Sequence, residues 1–411
     1  MRYINELLKN INIGWKTLGE VGDFQRGKRF VKKDMISEGI PCIHYGEMYT
    51  HYGIWTKKSK SYVSKGLVEN KKLRVAEKGD VIIVAAGETI EDIGKGTAWL
   101  SDESVVIHDA CFSYRSSLHP KYVAYFSRAK KFHEQIRKYI SSGKISAINE
   151  RGLSKVQIPI PWPNNPKKSL EVQKEIVRIM DTFTELTAEL TAELTAELTA
   201  RKQQYSYYRE QLLSFDEEEM EWKTLGEVAE YSKNRISFDR LDEMNYVGVD
   251  NLVQDRRGKT TSNYIPNKGN VTQYKPKDIL IGNIRPYLKK IWYSDRLGGA
   301  NGDVLVLRIT DSSLLSRFLY QVLSDDKFFE YNMQHSKGAK MPRGNKSKIL
   351  EYPIPIPPLQ IQEHIVSILD TFDTLTTSIS EGLPKEIALR QKQYEYYRDL
   401  LLTFPKEHTE T

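Results

Sequence analysis

The chain is one unit written twice. WKTLGEV begins at Trp15 and again at Trp222, and IPIP fills 158–161 and 354–357. After each IPIP comes a helical pattern, EVQKEIVRIMDTFTELT (171–187) and IQEHIVSILDTFDTLT (361–376). The two patterns end alike, in RKQQYSYYREQLLSF (201–215) and RQKQYEYYRDLLLTF (390–404). From Asp181 to Phe215 and from Asp370 to Phe404 the register is kept without a gap although the middle sequences differ, so length is held where sequence is not. NELL before Trp15 mirrors EQLL before Trp222. A chain whose start resembles its own middle can fold as two like halves about a pseudo-two-fold axis.

From Ile176 the apolar residues recur every three or four positions, through Phe183, Leu186, Leu190, Leu194, Leu198, Tyr205 and Tyr208 to Leu212. That spacing predicts one apolar stripe on a helix of roughly 45 residues, about 65 Å long. The second copy offers Ile361, Ile365, Phe372, Leu375, Tyr394, Tyr397 and Leu401. Two such stripes joined by a whole domain pack most simply as an antiparallel coiled coil. We expect Phe183, Leu186, Leu190, Leu194, Leu198, Tyr205, Tyr208, Phe372, Leu375, Tyr394 and Tyr397 to serve helix pairing or partner docking, the tyrosines chiefly as core. Within the first copy lies TAELTAELTAELTA (187–200), a ruler of strong helix formers. Each added tetrad lengthens a helix by about 6 Å and turns its far end by about 40°. In the second copy EGLPKE places Gly382 and Pro384 where they should break or kink the helix.

At 411 residues the chain suits two domains plus connecting elements. The boundaries expected are 1–165 for the first basic domain, 166–215 for the central spacer helix, 216–357 for the second basic domain and 358–411 for the C-terminal spacer helix. Hydrophobic residues at 39% are enough to bury real cores. The net charge of +7 is unevenly placed: residues 1–165 carry +10 and 222–357 carry +7, with neutral-to-acidic material between and after them. Two basic blocks fit a polyanion held at two places. No stretch of eighteen apolar residues occurs and the N-terminus lacks an apolar signal core, so a cytoplasmic location is expected. Cys42 and Cys111 have no His or Cys at metal-ligand spacing, which argues against a disulfide scaffold and a zinc site.

Signatures of chemistry are missing. There is no Asn/Asp-Pro-Pro-aromatic tetrad for a flipped base: NNPK (164–167) has one proline and no aromatic. Asp325 and Lys327 form a lone D-x-K; Gly94 and Gly96 lack the third glycine of a dinucleotide loop. No HExxH and no nucleophile elbow occur. A pure coiled-coil adaptor would explain the helices but not two basic domains that share edges and differ inside.

The order of basic variable domain, IPIP, a Gln-containing helix with I-V-x-I-L/M-D, then YYR-x-x-L-L, written twice, resembles the specificity subunit of type I restriction–modification systems, and the TAEL tetrads are similar to those of its type IC branch. That resemblance implies an α+β protein with two mixed α/β target-recognition domains separated by two long antiparallel helices. It implies a non-catalytic subunit that reads a bipartite asymmetric DNA site, one half per domain, with the helices setting the gap. The implied partners are double-stranded DNA, two methyltransferase subunits and motor-nuclease restriction subunits. No cofactor is implied in this chain: S-adenosylmethionine belongs to the methyltransferase subunits, ATP and Mg to the restriction subunits. Alternatives are a stand-alone coiled-coil DNA-binding scaffold, or the specificity subunit of another multi-subunit restriction/methylation system.

Specific readout needs side chains matched to base edges and phosphate contacts that hold the register. GDVIIVAAGETIEDIGKG (79–96) and KDILIGNIRPYLKK (277–290) both read as a buried strand opening into a polar loop. The first offers Thr89 and Lys95; the second offers Asn283, Arg285, Tyr287, Lys289 and Lys290. SSGKISAINERGLSK (141–155), with Lys144 and Arg151, and HSKGAKMPRGNKSK (335–348), with Lys340, Arg343 and Asn345, form a second pair. FQRGKRFVKK (24–33) adds Lys28 and Arg29. Strands are expected over 80–85 and 303–307, and a peripheral helix over 120–139.

Overall fold

In a computed structural model, residues 6, 8, 11–143, 145–216, 218, 220–377 and 381–404 are described. They fall into two compact units, one drawn from 1–191 and 389–411, the other from 192–388. Each unit therefore holds one domain and a share of each long helical segment.

The two repeated motifs meet in space, and in the same register in both units. Ile13–Thr17 pairs antiparallel with Gln157–Pro161, setting Trp15 opposite Pro159. Trp222–Thr224 pairs with Pro353–Pro355, setting Trp222 opposite Pro355. Each ribbon has two strands, because proline lacks the N–H that a further strand would need. After each ribbon the LGEV turn starts on a capping box. Glu20 Oε2 accepts from Thr17 N at 2.6 Å and Glu227 Oε2 from Thr224 N at 2.6 Å. Leu18 N and Leu225 N then donate to Val156 O and Tyr352 O, both at 2.8 Å. WKTLGEV and IPIP are thus the clasp that closes each domain on itself.

Inside the clasp the first unit has two five-stranded sheets and the second two four-stranded sheets. The continuous apolar runs VIIV and ILI follow from burial on both faces. Val81 and Ile83 point into the core that holds Leu18 and Tyr114, while Ile82 and Val84 point into another with Ile43 and Trp99. Likewise Ile279 and Ile281 face one core and Leu280 the other. Burying such a side chain stabilises by about 1.5–3 kcal/mol. The strands observed are Val81–Val84 and Val304–Ile309, and the expected helix over 120–139 divides into Pro120–Phe126, Lys130–Ile136 and a 3-10 turn, Arg137–Tyr139.

One bidentate ion pair ties two neighbouring strands of one sheet together in each unit. Arg115 Nε and Nη2 donate to buried Asp80 at 2.7 and 2.8 Å, and Arg308 Nε and Nη2 to buried Asp278 at 3.0 and 2.7 Å. The same carboxylates accept from Glu77 N and Lys275 N, each at 2.8 Å.

The helix predicted from period runs Pro166–Leu212, 47 residues, or about 70 Å. In the first unit its early turns bury Ile176 and Met180 beside Leu401 and Leu402 of the C-terminal helix. Buried Gln173 accepts from His119 N at 2.9 Å, as Gln362 does from Leu315 N at 2.8 Å. Asp181 takes Lys121 at 2.8 Å, and Asp370 takes Arg317 at 2.8 Å. The helices pair antiparallel within each unit. Phe183 and Tyr397 lie 5.4 Å apart, and Thr184 Oγ1 donates to Tyr394 Oη at 3.2 Å. Tyr205 Oη donates to Asp373 at 2.6 Å, while the Tyr208 and Phe372 rings lie 5.7 Å apart. Leu190, Leu194, Leu198 and Leu375 are half-buried, and Leu186 and Tyr208 lie on the exposed flank at 56% and 40%. A period of four drifts by about 40° per repeat, so a leucine on every tetrad cannot stay on one narrow seam. The second helical segment is two helices, Leu359–Thr377 and Gly382–Thr403, with Pro384 in the first turn of the latter.

Candidate nucleic-acid interface

In each unit the strand-end loop and the late basic loop, far apart in sequence, are joined by main-chain bonds. In the second unit Ile284 bridges Arg343, Arg285 N donates to Pro342 O at 2.7 Å, and Gly344 N donates to Asn283 O at 3.0 Å. In the first unit Ser146–Ala147 pairs with Ala86–Gly87, and Ile148 N donates to Ala85 O at 2.8 Å. Position for position, Ile284 corresponds to Ala86, Arg285 to Gly87 and Arg343 to Ala147. The frame is common; the side chains are not.

Arg285 and Arg343 are both exposed, the latter 3.4 Å from Asp303. Asp303 in turn stands where the first unit has Ala110, since Asn283 N donates to Asp303 O and Ala85 N to Ala110 O. Tyr287 is 49% exposed and Lys340 is exposed. Arg285 and Lys289 hold left-handed backbone, φ 55° and 49°. A non-glycine residue there costs about 1 kcal/mol, a strain kept by the bonds from Arg285 N to Pro342 and from Lys289 N to Pro286.

Several residues singled out from sequence face inward instead. Lys290 is buried, donates to Val249 O at 2.7 Å, and burial lowers its pKa. Asn283 is buried beside Asn332 and Gly344; a Cβ on Gly344 would collide with the amide oxygens of both asparagines. Lys289 is tied to Asp326 at 2.8 Å, where Arg256 also bonds. Asn345 caps the helix Lys346–Leu350, accepting from Ser347 N at 3.2 Å, as Asn149 caps Glu150–Ser154. These four support the loops from behind. An N-cap asparagine ahead of a short helix was the signal available for Asn345.

In the first unit Arg151 and Arg29 are exposed and Lys28 is half-buried. Lys95 and Thr89 both bind Asp92, Lys95 at 2.6 Å. Burial opposes ionisation of Asp92, but these two partners outweigh it and hold its carboxyl below the ordinary range. Lys144 lies outside the described residues.

Two histidines underlie this loop and were not singled out by sequence reasoning. His44 and His108 are buried with ring centroids 4.5 Å apart, and Phe30 and Tyr45 each lie 5.2 Å from His108. Gly46 N donates to His44 Nδ1 at 3.2 Å and Ala110 N to His108 Nδ1 at 3.1 Å. Burial first, then His108, pushes His44 down to about 4, and burial lowers His108. Neighbouring Tyr49 Oη reaches Ala86 O of the loop at 3.1 Å. The second unit holds Gly248 and Asn301 at the matching places, so the repeat itself gave no hint of the pair.

Among the described residues no group of His, Cys, Asp and Glu is arranged to hold a metal ion, and no helix is long and apolar enough to cross a membrane. Cys42 and Cys111 are buried and unbridged, with burial raising both thiols, Cys42 to about 12.

A family model described as the type I restriction modification DNA specificity domain matches residues 12–200 and 217–389. The chain is 33% identical over 436 aligned positions to the EcoR124I/EcoR124II specificity subunit of Escherichia coli, covering 100% of this chain and 98% of that one. It is 29% identical to the EcoprrI specificity subunit of the same organism, covering 93% and 92%. A chain from a structural study of complex assembly and conformational transition in the type I R-M system shares the fold, with a TM-score of 0.63 at 15% identity over 96% of this chain and 98% of that one.

Proposed function

Since the chain belongs to the type I restriction–modification DNA specificity family, we propose that its two units are the reading heads of a type I complex, each recognising one half of a bipartite, asymmetric DNA site. The observation that carries this reading is the shared loop-to-loop bridge that displays unlike side chains: Arg285 and Arg343 on one unit, Gly87 and Ala147 on the other. A common frame with different chemistry at the same points suits two different half-sites, because base edges are told apart by the donors, acceptors and methyl groups set against them.

Arg285, Tyr287, Lys340 and Arg343 reach for DNA in the second unit, and Lys28, Arg29 and Arg151 in the first. The chain itself performs no chemistry. Its partners are double-stranded DNA, two methyltransferase subunits that use S-adenosylmethionine, and restriction subunits that use ATP and Mg. The paired helices set the gap between the half-sites, and their core tyrosines keep the pairing in register.

Co-expression with the methyltransferase subunit and genome-wide mapping of methylated adenines tests the reading. The expected result is a two-part motif with a fixed gap, together with DNA binding that weakens steeply with salt. Methyl transfer or DNA cleavage by the isolated chain would overturn it, as would a continuous motif.

A further inference from the structure

The late basic loops share a feature that their cations do not explain. Each is a hairpin closed by a reciprocal pair of main-chain bonds. Ser141 and Ala147 exchange bonds of 2.9 and 3.1 Å, and Lys337 and Arg343 exchange two of 2.9 Å. Five residues lie between the closing positions in both. Counted from the closing pair, Ile145 and Met341 occupy the same place, and they are 62% and 52% exposed. A single exposed apolar side chain is ordinary on a protein surface. Here the same hairpin position is apolar in both units, although the rest of each tip is mainly small or basic.

The hairpins also present these side chains from a fixed base, since both are pinned to the strand-end loop through Ala85 and Asn283. A rigid mount is what a contact that discriminates between bases requires. Neither Ile nor Met can hold a phosphate. Both can exclude water against a base, either on the 5-methyl group of a thymine or as a wedge at a base step.

Resting on the reading of this chain as a two-headed DNA reader, we propose that Ile145 and Met341 are equivalent apolar base contacts, one in each half-site. Exposed cations such as Arg151 and Arg343 hold the DNA backbone, and these two side chains meet the bases.

Ile145→Ser and Met341→Ser, each in the full chain assembled with its methyltransferase subunits, test this on a duplex carrying the site mapped by adenine methylation. Each variant should lower affinity by about tenfold and relax base preference within its own half-site alone. The salt slope should stay unchanged because no charge is removed, and so should the unfolding temperature because both positions are exposed. If the contact is a methyl group, replacing one thymine by uracil reproduces the loss. If it is a wedge, 2-aminopurine at the step brightens on binding the parent complex and not the variant. Parent-like affinity and preference in either variant overturns the proposal. So does a loss spread over both half-sites, or a loss with neither the uracil nor the 2-aminopurine signature. Failure of the parent complex to bind any mapped site would instead refute the DNA-reading function itself.

Discussion

A cation facing solvent and one already bonded inside the fold should give opposite signatures when removed. Arg285→Ala or Arg343→Ala should weaken DNA binding at one half-site and lower the slope of log affinity against log salt by about one, measured by titration at several salt concentrations. Lys290→Ala should leave that slope unchanged and lower the urea midpoint, because its ammonium serves Val249 O. The histidine pair predicts a pH effect. His44 and His108 both titrate lower folded than unfolded, so the unfolded chain binds more protons, for His44 between about 6.5 and 4. Stability is full above pH 6.5 and falls as pH drops toward 4, by on the order of 2 kcal/mol for such a group. Protonation at Nδ1 would remove the acceptors that Gly46 N and Ala110 N use. Asp109, Arg29 and Lys32 are the charges that bear on the pair. His108→Asn, the residue found at Asn301, should flatten the dependence of the urea midpoint on pH. At this scale the sequence was only partly legible. The loops were visible as glycine-bearing, basic segments after buried strands, but whether a lysine turns out, like Lys340, or in, like Lys290, depends on a carbonyl 41 residues away.

The helices were far more legible, because periodicity is a local property. The stripe from Ile176 to Leu212 and the interruption at EGLPKE belong to runs of neighbouring residues, whereas the anchors Gln173 and Asp181 went unread because their partners lie 54 and 60 residues away. Gly382 has φ 78°, and a Cβ there would collide with the carbonyls of Thr374 and Leu375. Gly382→Ala should therefore destabilise by about 1–3 kcal/mol, read as a lower unfolding temperature. Removing one TAEL tetrad shortens the helix by about 6 Å and turns it by about 40°. At 3.4 Å per base pair the methylation motif should lose one to two base pairs of gap while both half-sites stay the same; an unchanged gap would refute the ruler. The strands were legible where both faces are buried, as in Val81–Val84. The pairing of Ala86 with Ala147, or of Ile284 with Arg343, was not, since such contacts join segments about 60 residues apart that share no pattern.

For the molecule as a whole, the repeat carries the most information. WKTLGEV and IPIP mark the ends of each domain in sequence, and in space those ends pair with one another in one register. A domain clasped at its own ends can be exchanged as a unit when its anchors on the helices, Leu315 N on Gln362 and Arg317 on Asp370, are kept, which makes residues 222–357 a natural cassette. The most direct measurement is a methylation map of a chimera in which that cassette comes from a relative with a different target, co-expressed with the same methyltransferase subunit. One half of the two-part motif should change to the donor's, with the other half and the gap kept. A motif altered in both halves, or in neither, would contradict the account.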